Sequence, residues 1–498
     1  EEDKISYNIP SWTLYGTKGG VLGEAHEFHK MESKVEGRTE NLFGAGVLAD
    51  YTNFTVSANE TEIVLLGAAD EYGTPKFILS MGQGTAAPQI KTEYTFAKNG
   101  YYGFAFTGFP AYTKDQTEEI WQPMIWTERR FPAQAYLTPE YHLPAAGVAL
   151  RTGGTTLFLS VAQSDLPYRI PTYENSRYGA VLMNKEGLVQ PQIYVPFYGS
   201  KDSNKQAGDS VSLTTEVSMY NEDIETALQS LVLESYGYYD FRTNGNISLN
   251  EVIENMIGYG MNDYYSKFMP EYKGFSYEND APGTTKNVSA VHPASLALVF
   301  DDKSLYDNRA LPLSEYMLSR NDLTFKYTET ASQGSNALGA PSMKMNEYSA
   351  LYNLSGNTVK AYKDMMDAKS GAAVSNWKQA MVYYKATGDE KYLTVAKQGA
   401  DKYIAERLSG YAEDFADVST SWWHFFCPEY TELYEMYTLT DEQKYLDAAH
   451  TGARRFAMFL WYTPGVPDGK THINPNNEAP KYAYNRGIMP MYAEEKDI

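Results

Sequence analysis

One cysteine in 498 residues leaves Cys427 without an internal disulfide partner, so the fold has to be held by packing. A lone cysteine is more often a small buried hydrophobe than a nucleophile. Positive charge is also short. The 42 Lys and Arg face 63 Asp and Glu, a formal charge of −21, which argues against nucleic acid and anionic membrane surfaces as partners. The deficit still leaves room for an anionic sugar, because a few local arginines or a helix N-terminus can hold one carboxylate inside an acidic protein. No apolar run reaches the length of a membrane-spanning helix, and Glu1-Glu2-Asp3-Lys4 has none of the features of a signal peptide. Gly44-Ala45-Gly46 lacks the remaining glycine spacing of a dinucleotide site, and neither a phosphate-binding loop of the G-x-x-x-x-G-K-S/T type nor a G-x-S-x-G elbow occurs. Cofactor-free chemistry is the expectation. His26 and His29 have no third ligand at a usual spacing, so no metal site is expected either. The N-x-S/T triplets at Asn53, Asn59, Asn246, Asn287 and Asn353 arise readily by chance and imply no glycosylation.

What the chain has is two unlike halves in a fixed order. Its length exceeds one ordinary hydrophobic core. From Ile5 to about Met219, short β-prone runs are punctuated by Gly, Pro and Asn: 61–66, 101–106, 155–161 and 211–217. Alternation at period two with frequent turn signals predicts a large antiparallel sandwich, with a barrel as the alternative. At 221–233 apolar residues begin to recur every three or four positions, and again at 248–257, where Ser248 and Glu251 form a predicted capping box. Residues 269–287, with Pro270, Gly274, Pro282 and Gly283, read as a long loop.

The rest of the chain repeats itself. Tyr384 to Leu393 (YKATGDEKYL) returns at Tyr437 to Leu446 (YTLTDEQKYL), an offset of 53 residues, and Gly399-Ala400 then falls on Gly452-Ala453. Weaker echoes at 351–357 and 300–305 place polar turns after helices starting near Ser342 and His292. Four helical hairpins are therefore predicted, stacked side by side because one hairpin cannot bury its own apolar stripe, as an open solenoid or a closed toroid. The stretch 482–492 resembles the opening of a fifth hairpin, so the chain is expected to end inside the array. The expected division is a β-sandwich over 1–220, a helical connector and loop over 221–288, and an (α/α) toroid over 289–498.

The layout resembles bacterial carbohydrate-active enzymes in which an N-terminal β-sandwich precedes an (α/α)6 toroid. Locally, Tyr239-Asp240-Phe241-Arg242 with Ser248 to Glu251, then Asn279 to Pro282 and Ser289 to Pro293, is similar to segments of glycan-degrading proteins of gut Bacteroidetes. Among these are β-glucuronidase-like glycoside hydrolases and uronate-specific polysaccharide lyases. The chain departs from that pattern in showing fewer than six hairpins. The resemblance implies a substrate groove over the N-termini of the inner helices, flanked by loops of the β-domain, and a periplasmic or cell-surface location.

The hairpin openings hold the singular residues. Trp377, Trp422 and Trp423 are three of the seven tryptophans, and flat aromatics with a polar edge suit the C–H faces of sugar rings. Packing between neighbouring hairpins is an equally good reading of any one of them. His424 beside the Trp pair is a candidate base, with a satisfied structural histidine as its competitor. Glycoside hydrolysis needs two carboxylates, for which Glu347, Glu429, Glu432 and Asp280 are the candidates near helix starts, Glu429 with Pro428 as a first helical residue. For each acid alone, simple complementarity with the helix dipole is the commoner reason for that position. A lyase would instead draw on His424, Tyr484 and Arg486. Asn376 and Asn485 are further candidates for holding sugar. From the β region, Arg129 and Arg130 could grip a substrate carboxylate, although a surface ion pair is commoner for either. The leading expectation is a β-glucuronidase-like hydrolase of uronic-acid-containing oligo- or polysaccharides. A polysaccharide lyase is the first alternative and a non-catalytic glycan-binding protein the second, with oligomerisation left open.

Overall fold

A computed structural model of the chain describes residues 5–9, 47–81, 87–123, 126–132, 135, 137–140, 143, 145–166, 176–198, 200–237, 248–261, 268–269, 274–276, 285–286, 291–318, 337–338, 345–358, 360–369, 374–410, 428–460 and 462. The β region is organised by a nine-stranded antiparallel sheet. In spatial order its strands are Trp126–Glu128, Glu119–Gln122, Gly147–Thr152, Thr155–Val161, Ser210–Tyr220, Pro88–Phe96, Gly73–Met81, Glu62–Gly67 and Phe54–Ala58. Two three-stranded sheets lie against it, one of Val47–Tyr51, Ile5–Ile9 and Gly103–Phe106 and the other of Thr138–Pro139, Gly179–Met183 and Val189–Tyr194.

Side-chain alternation fixes which face meets what. Ile120 and Leu150 pack with Leu182 and Val189, and Val148 and Leu159 with Ala180 and Ile193, so one face of the large sheet covers the second small sheet. Their strand neighbours Trp121, Ala149 and Phe158 point the other way, into helix α1 (Ile224–Glu234) through Ile224, Leu228 and Leu231. Thr155–Val161 is buried over most of both faces, with Thr156 and Ser160 enclosed beside Phe158, Leu159 and Val161. At the other end Phe77, Tyr94 and Phe96 meet Phe104 and Phe106 of the first small sheet. Among the described residues the edge strands Phe54–Ala58 and Trp126–Glu128 pair only inward, so the sheet is open and the barrel alternative falls.

Helix α2 (Leu249–Met261) follows, and Ser248 Oγ accepts the Glu251 N–H at 3.1 Å, one half of the expected capping box. The stretch expected as a long loop instead contributes three short strands, Phe268–Met269, Gly274–Ser276 and Thr285–Lys286, to a four-stranded sheet completed by Ala337–Leu338. Strands of two or three residues are too short to display a period, and the last pairing is parallel, with a partner 52 residues away.

Four hairpins then stack. The first joins α3 (Val291–Phe300) to α4 (Leu311–Leu318) through a short helical turn, the second α5 (Met345–Leu354) to α6 (Lys360–Lys369), the third α7 (Trp377–Thr387) to α8 (Glu390–Tyr403), and the fourth α9 (Tyr430–Thr440) to α10 (Gln443–Ala457). Each turns through a left-handed residue after its first helix: Asp301, Gly356 with Asn357, Gly388 and Asp441. The 53-residue offset holds to the residue, for α7 and α9 both run 11 residues and start at Trp377 and Tyr430. One apolar cluster links Leu313, Tyr348, Tyr383 and Tyr392 across the first three hairpins, and another links Trp377, Met381, Leu433 and Tyr445 across the last two. The layout of β region then helical hairpins is thus observed.

Candidate functional site

The first helices of the last two hairpins run side by side in the same direction. Lys378 reaches Glu429 at 2.6 and 2.8 Å, and Lys385 pairs with Glu435 further along, so both chains advance together. Their second helices repeat the device: Lys397 pairs with Glu442 at 2.7 Å and Lys444 with Asp401 at 2.7 Å. These parallel first helices gather their N-termini, with four orphan N–H groups each, at one end of the two hairpins. Asn376, Trp377, Glu429 and Glu432 lie at that end.

Asn376 is the N-cap of α7, its side-chain oxygen accepting the N–H groups of Lys378 at 3.0 Å and Gln379 at 3.1 Å. That acceptor is already committed to the helix. Trp377 is 9% exposed, with its ring 6.0 Å from that of Tyr403 and its Cβ pressed against Gly399, where an added Cβ would come within 2.3 Å. The packing reading therefore accounts for Trp377, and a sugar platform does not. Repetition accounts for it too, because Tyr430 occupies the same place over Gly452 in the fourth hairpin.

Glu429 is the N-cap of α9, not a residue of its first turn, and Pro428 precedes the helix instead of opening it. Its side chain makes no capping bond. Both carboxylate oxygens instead accept from the Lys378 ammonium, and its backbone N–H donates to Tyr403 Oη at 2.9 Å. Glu432 lies in the first turn of α9, where it accepts from the Thr431 hydroxyl at 2.7 Å. Glu347 stands in the first turn of α5 beside Tyr348, whose phenol is pushed up to about 12 by burial, with the Glu347 charge adding to the shift.

From the β region, Arg129 and Arg130 leave the end of edge strand Trp126–Glu128. Arg130 is 2% exposed, an enclosed position rather than the surface ion pair that is commoner for an arginine. Arg129 is half-buried, and its carbonyl accepts the Phe131 N–H at 3.0 Å. The group that does cross to the helices is Glu128, which meets Arg455 of α10 at 2.7 Å. Next to it Arg454 contacts Glu225 at 2.9 Å, the Thr226 hydroxyl at 2.7 Å and Asp223 at 3.3 Å. Burial pushes the Asp223 carboxyl up, but the Thr226 N–H and hydroxyl together with Arg454 and Arg151 outweigh it and hold the group below its ordinary value. Tyr430 and Phe456, 5.3 Å apart, join the Glu429 end of the cluster to the Arg455 end.

Asp280, Trp422, Trp423, His424, Tyr484, Asn485 and Arg486 lie outside the described residues. The residues that sequence reasoning passed over are Lys378, Tyr403, Glu128 and Arg455. Lys378 had a signal: it stands 51 residues before Glu429, close to the repeat offset, and Lys385 stands 50 residues before Glu435. Arg455 had none, because its acceptors, Glu128 of the β region and the Arg407 and Gly410 carbonyls, stand at no repeat spacing from it.

No family model and no curated protein matches the chain. Among solved structures, a polysaccharide lyase aligns over 83% of this chain and 73% of its own, at 12% identity and a TM-score of 0.37. A galactose mutarotase-like protein from Lactobacillus casei aligns over 34% of this chain and 74% of its own, at 10% identity and a TM-score of 0.22. Both are likenesses of coarse layout, too weak to carry chemistry across. No helix among the described residues is long and apolar enough to cross a membrane.

Proposed function

We propose that this chain cleaves uronate-containing polysaccharide, by β-elimination in preference to hydrolysis, outside the cytoplasm. The observation that carries the preference is the Lys378–Glu429 pair at the mouth of the hairpins. A glycosidase needs one carboxylic acid that donates a proton to the leaving oxygen and one carboxylate that attacks or activates water. Glu429 is the candidate best placed at a helix start, yet both its oxygens accept from one ammonium at 2.6 and 2.8 Å, an acceptor-only arrangement. Elimination asks for no such acid. It needs a cation or amide to neutralise the uronate, a base for the proton beside the carboxylate, and a donor for the departing oxygen.

In this reading Arg486 and Asn485 hold the uronate, His424 takes the proton and Tyr484 returns one to the leaving oxygen, while Trp422 and Trp423 stack on sugar faces. The base breaks the C–H bond at C5, the electron pair forms the C4–C5 double bond, and the glycosidic oxygen leaves with the donated proton. Lys378 and Glu429 act as a structural pair that sets the spacing of α7 and α9. Incubation with polymers of glucuronate, mannuronate and galacturonate, followed by ultraviolet absorbance, tests the proposal, since only elimination makes a conjugated unsaturated product. A rise with at least one polymer, abolished in His424→Ala, is expected. New reducing ends without absorbance would return Glu347 and Glu432 to a hydrolytic pair, and binding without any product would leave a glycan-binding protein.

A further inference from the structure

Arg455 joins three parts of the molecule that the sequence keeps far apart. Its Nε lies 2.7 Å from Glu128 of the β region, its Nη1 donates to the Arg407 carbonyl at 3.1 Å, and its Nη2 donates to the Gly410 carbonyl at 2.9 Å. The two charged side chains are 13% and 14% exposed, so solvent screens the pair little. A guanidinium is a rigid planar fork, and three acceptors set around it fix its orientation and theirs.

Each contact holds something that would not hold itself. Glu128 has a φ of 56°, in the left-handed region that a glutamate enters only at a cost, and there the edge strand stops and turns back, the Phe131 N–H closing on the Arg129 carbonyl. Gly410 is the last described residue of the third hairpin, and Pro428 and Glu429 are the first of the fourth. Glu429 is pinned as well, by Tyr403 Oη on its N–H and by Lys378 on its carboxylate.

We propose that Arg455 is a positioning residue, which through Glu128 and the Arg407 and Gly410 carbonyls sets the 128–130 turn of the β region against the mouth of the hairpins. The part of this that concerns substrate rests on the reading of the chain as an enzyme of acidic polysaccharide. Arg454, one residue earlier, provides the contrast. It grips Asp223, Glu225 and Thr226 and so docks α10 on α1 without touching the turn.

Amide hydrogen exchange on the full chain separates the two arginines. Arg455→Ala, with Arg455→Lys and Glu128→Gln as milder changes, is expected to speed exchange at 126–131 and 407–410 by about tenfold or more, while Arg454→Ala does so only at 223–227. With a polymer that is turned over, Glu128→Gln is expected to raise KM about tenfold and leave kcat within about twofold, the mark of lost positioning in the bound state. Unchanged exchange at 126–131 in folded Arg455→Lys and Glu128→Gln, or equal effects of Arg454→Ala and Arg455→Ala on the same peptides, overturns the assignment. If no polymer is turned over, the exchange result still decides the matter, so a failure of the proposed activity and a failure of this inference are told apart.

Discussion

The β region and the helical array are stabilised by different means. In the large sheet, strands at its centre bury both faces, which Trp121, Phe158, Val148 and Leu159 fill with apolar side chains. In the array, the third and fourth hairpins are tied by an apolar seam and by ion pairs in both layers, Lys378 to Glu429 and Lys385 to Glu435 in one, Lys397 to Glu442 and Asp401 to Lys444 in the other. The informative places are those where the repeat departs from itself. Arg454 stands 53 residues after Asp401 and has the opposite charge. Asp401 faces the Lys444 of a following hairpin, whereas Arg454 faces the acids of α1, so the inversion marks where the array stops meeting itself and starts meeting the β region. Asn376 and Glu429 make a second such pair, one serving the helix backbone and the other a neighbouring lysine.

Substitutions at equivalent positions can break this comparison, and the largest effect is expected at Trp377. Trp377→Ala should cost about 3 to 5 kcal/mol in denaturant unfolding, because it empties a seam between two hairpins. A variant that keeps its stability and loses only glycan binding would return Trp377 to the surface of a groove. Next comes the glycine pair. Gly399→Ala forces a Cβ to within 2.3 Å of Trp377 Cβ and should cost about 1 to 3 kcal/mol. Gly452→Ala meets Tyr430 Cβ at 3.0 Å and Pro428 Cβ at 3.3 Å, so its loss should be smaller, and equal losses would contradict the packing described.

The caps give a finer contrast. Asn376→Ala should lower stability by about 1 kcal/mol through two lost N–H acceptances. Glu429→Ala removes no capping bond and breaks a partly exposed ion pair, whose worth is about 0.2 to 1 kcal/mol once solvent screening is counted. Thermal melts of the two single variants check the order.

The smallest effect is one of pH at the sheet's junction with α1. Burial raises the Glu119 carboxyl above its ordinary 4.5, only partly offset by the Ile224 N–H and by Arg151. A raised carboxyl binds its proton more tightly folded than unfolded, so the stability linked to it is full below the unfolded value and is lost as pH rises through the folded one. Glu119→Gln should therefore gain on the unmodified chain in melts taken from about pH 4 to pH 7. Parallel profiles would show that Glu119 is not desolvated in the way its burial implies.

The sequence made the order of the two regions legible, together with the strands at 155–161 and 211–217, the four hairpins and the 53-residue offset, because period and turn chemistry are local properties. Short strands at 268–286 escaped, being too brief to show alternation. At the hairpin openings, the sequence does not reveal which residues are enclosed. Trp377 and Arg130 are buried by neighbours from other segments, and nothing in the local sequence distinguishes a tryptophan that packs from one that faces a sugar. Arg455 was invisible for a related reason, since its acceptors come from positions 128, 407 and 410 and only the fold assembles them.

The proposed chemistry is tested most directly by the masses of the fragments released from a defined uronate oligosaccharide. Elimination divides the chain without adding water, so one fragment should carry an unsaturated uronate and fall one water short of the hydrolytic product, in equal number with the new reducing ends. Fragments whose masses sum to the substrate plus one water would contradict elimination and return Glu347 and Glu432 to a hydrolytic pair.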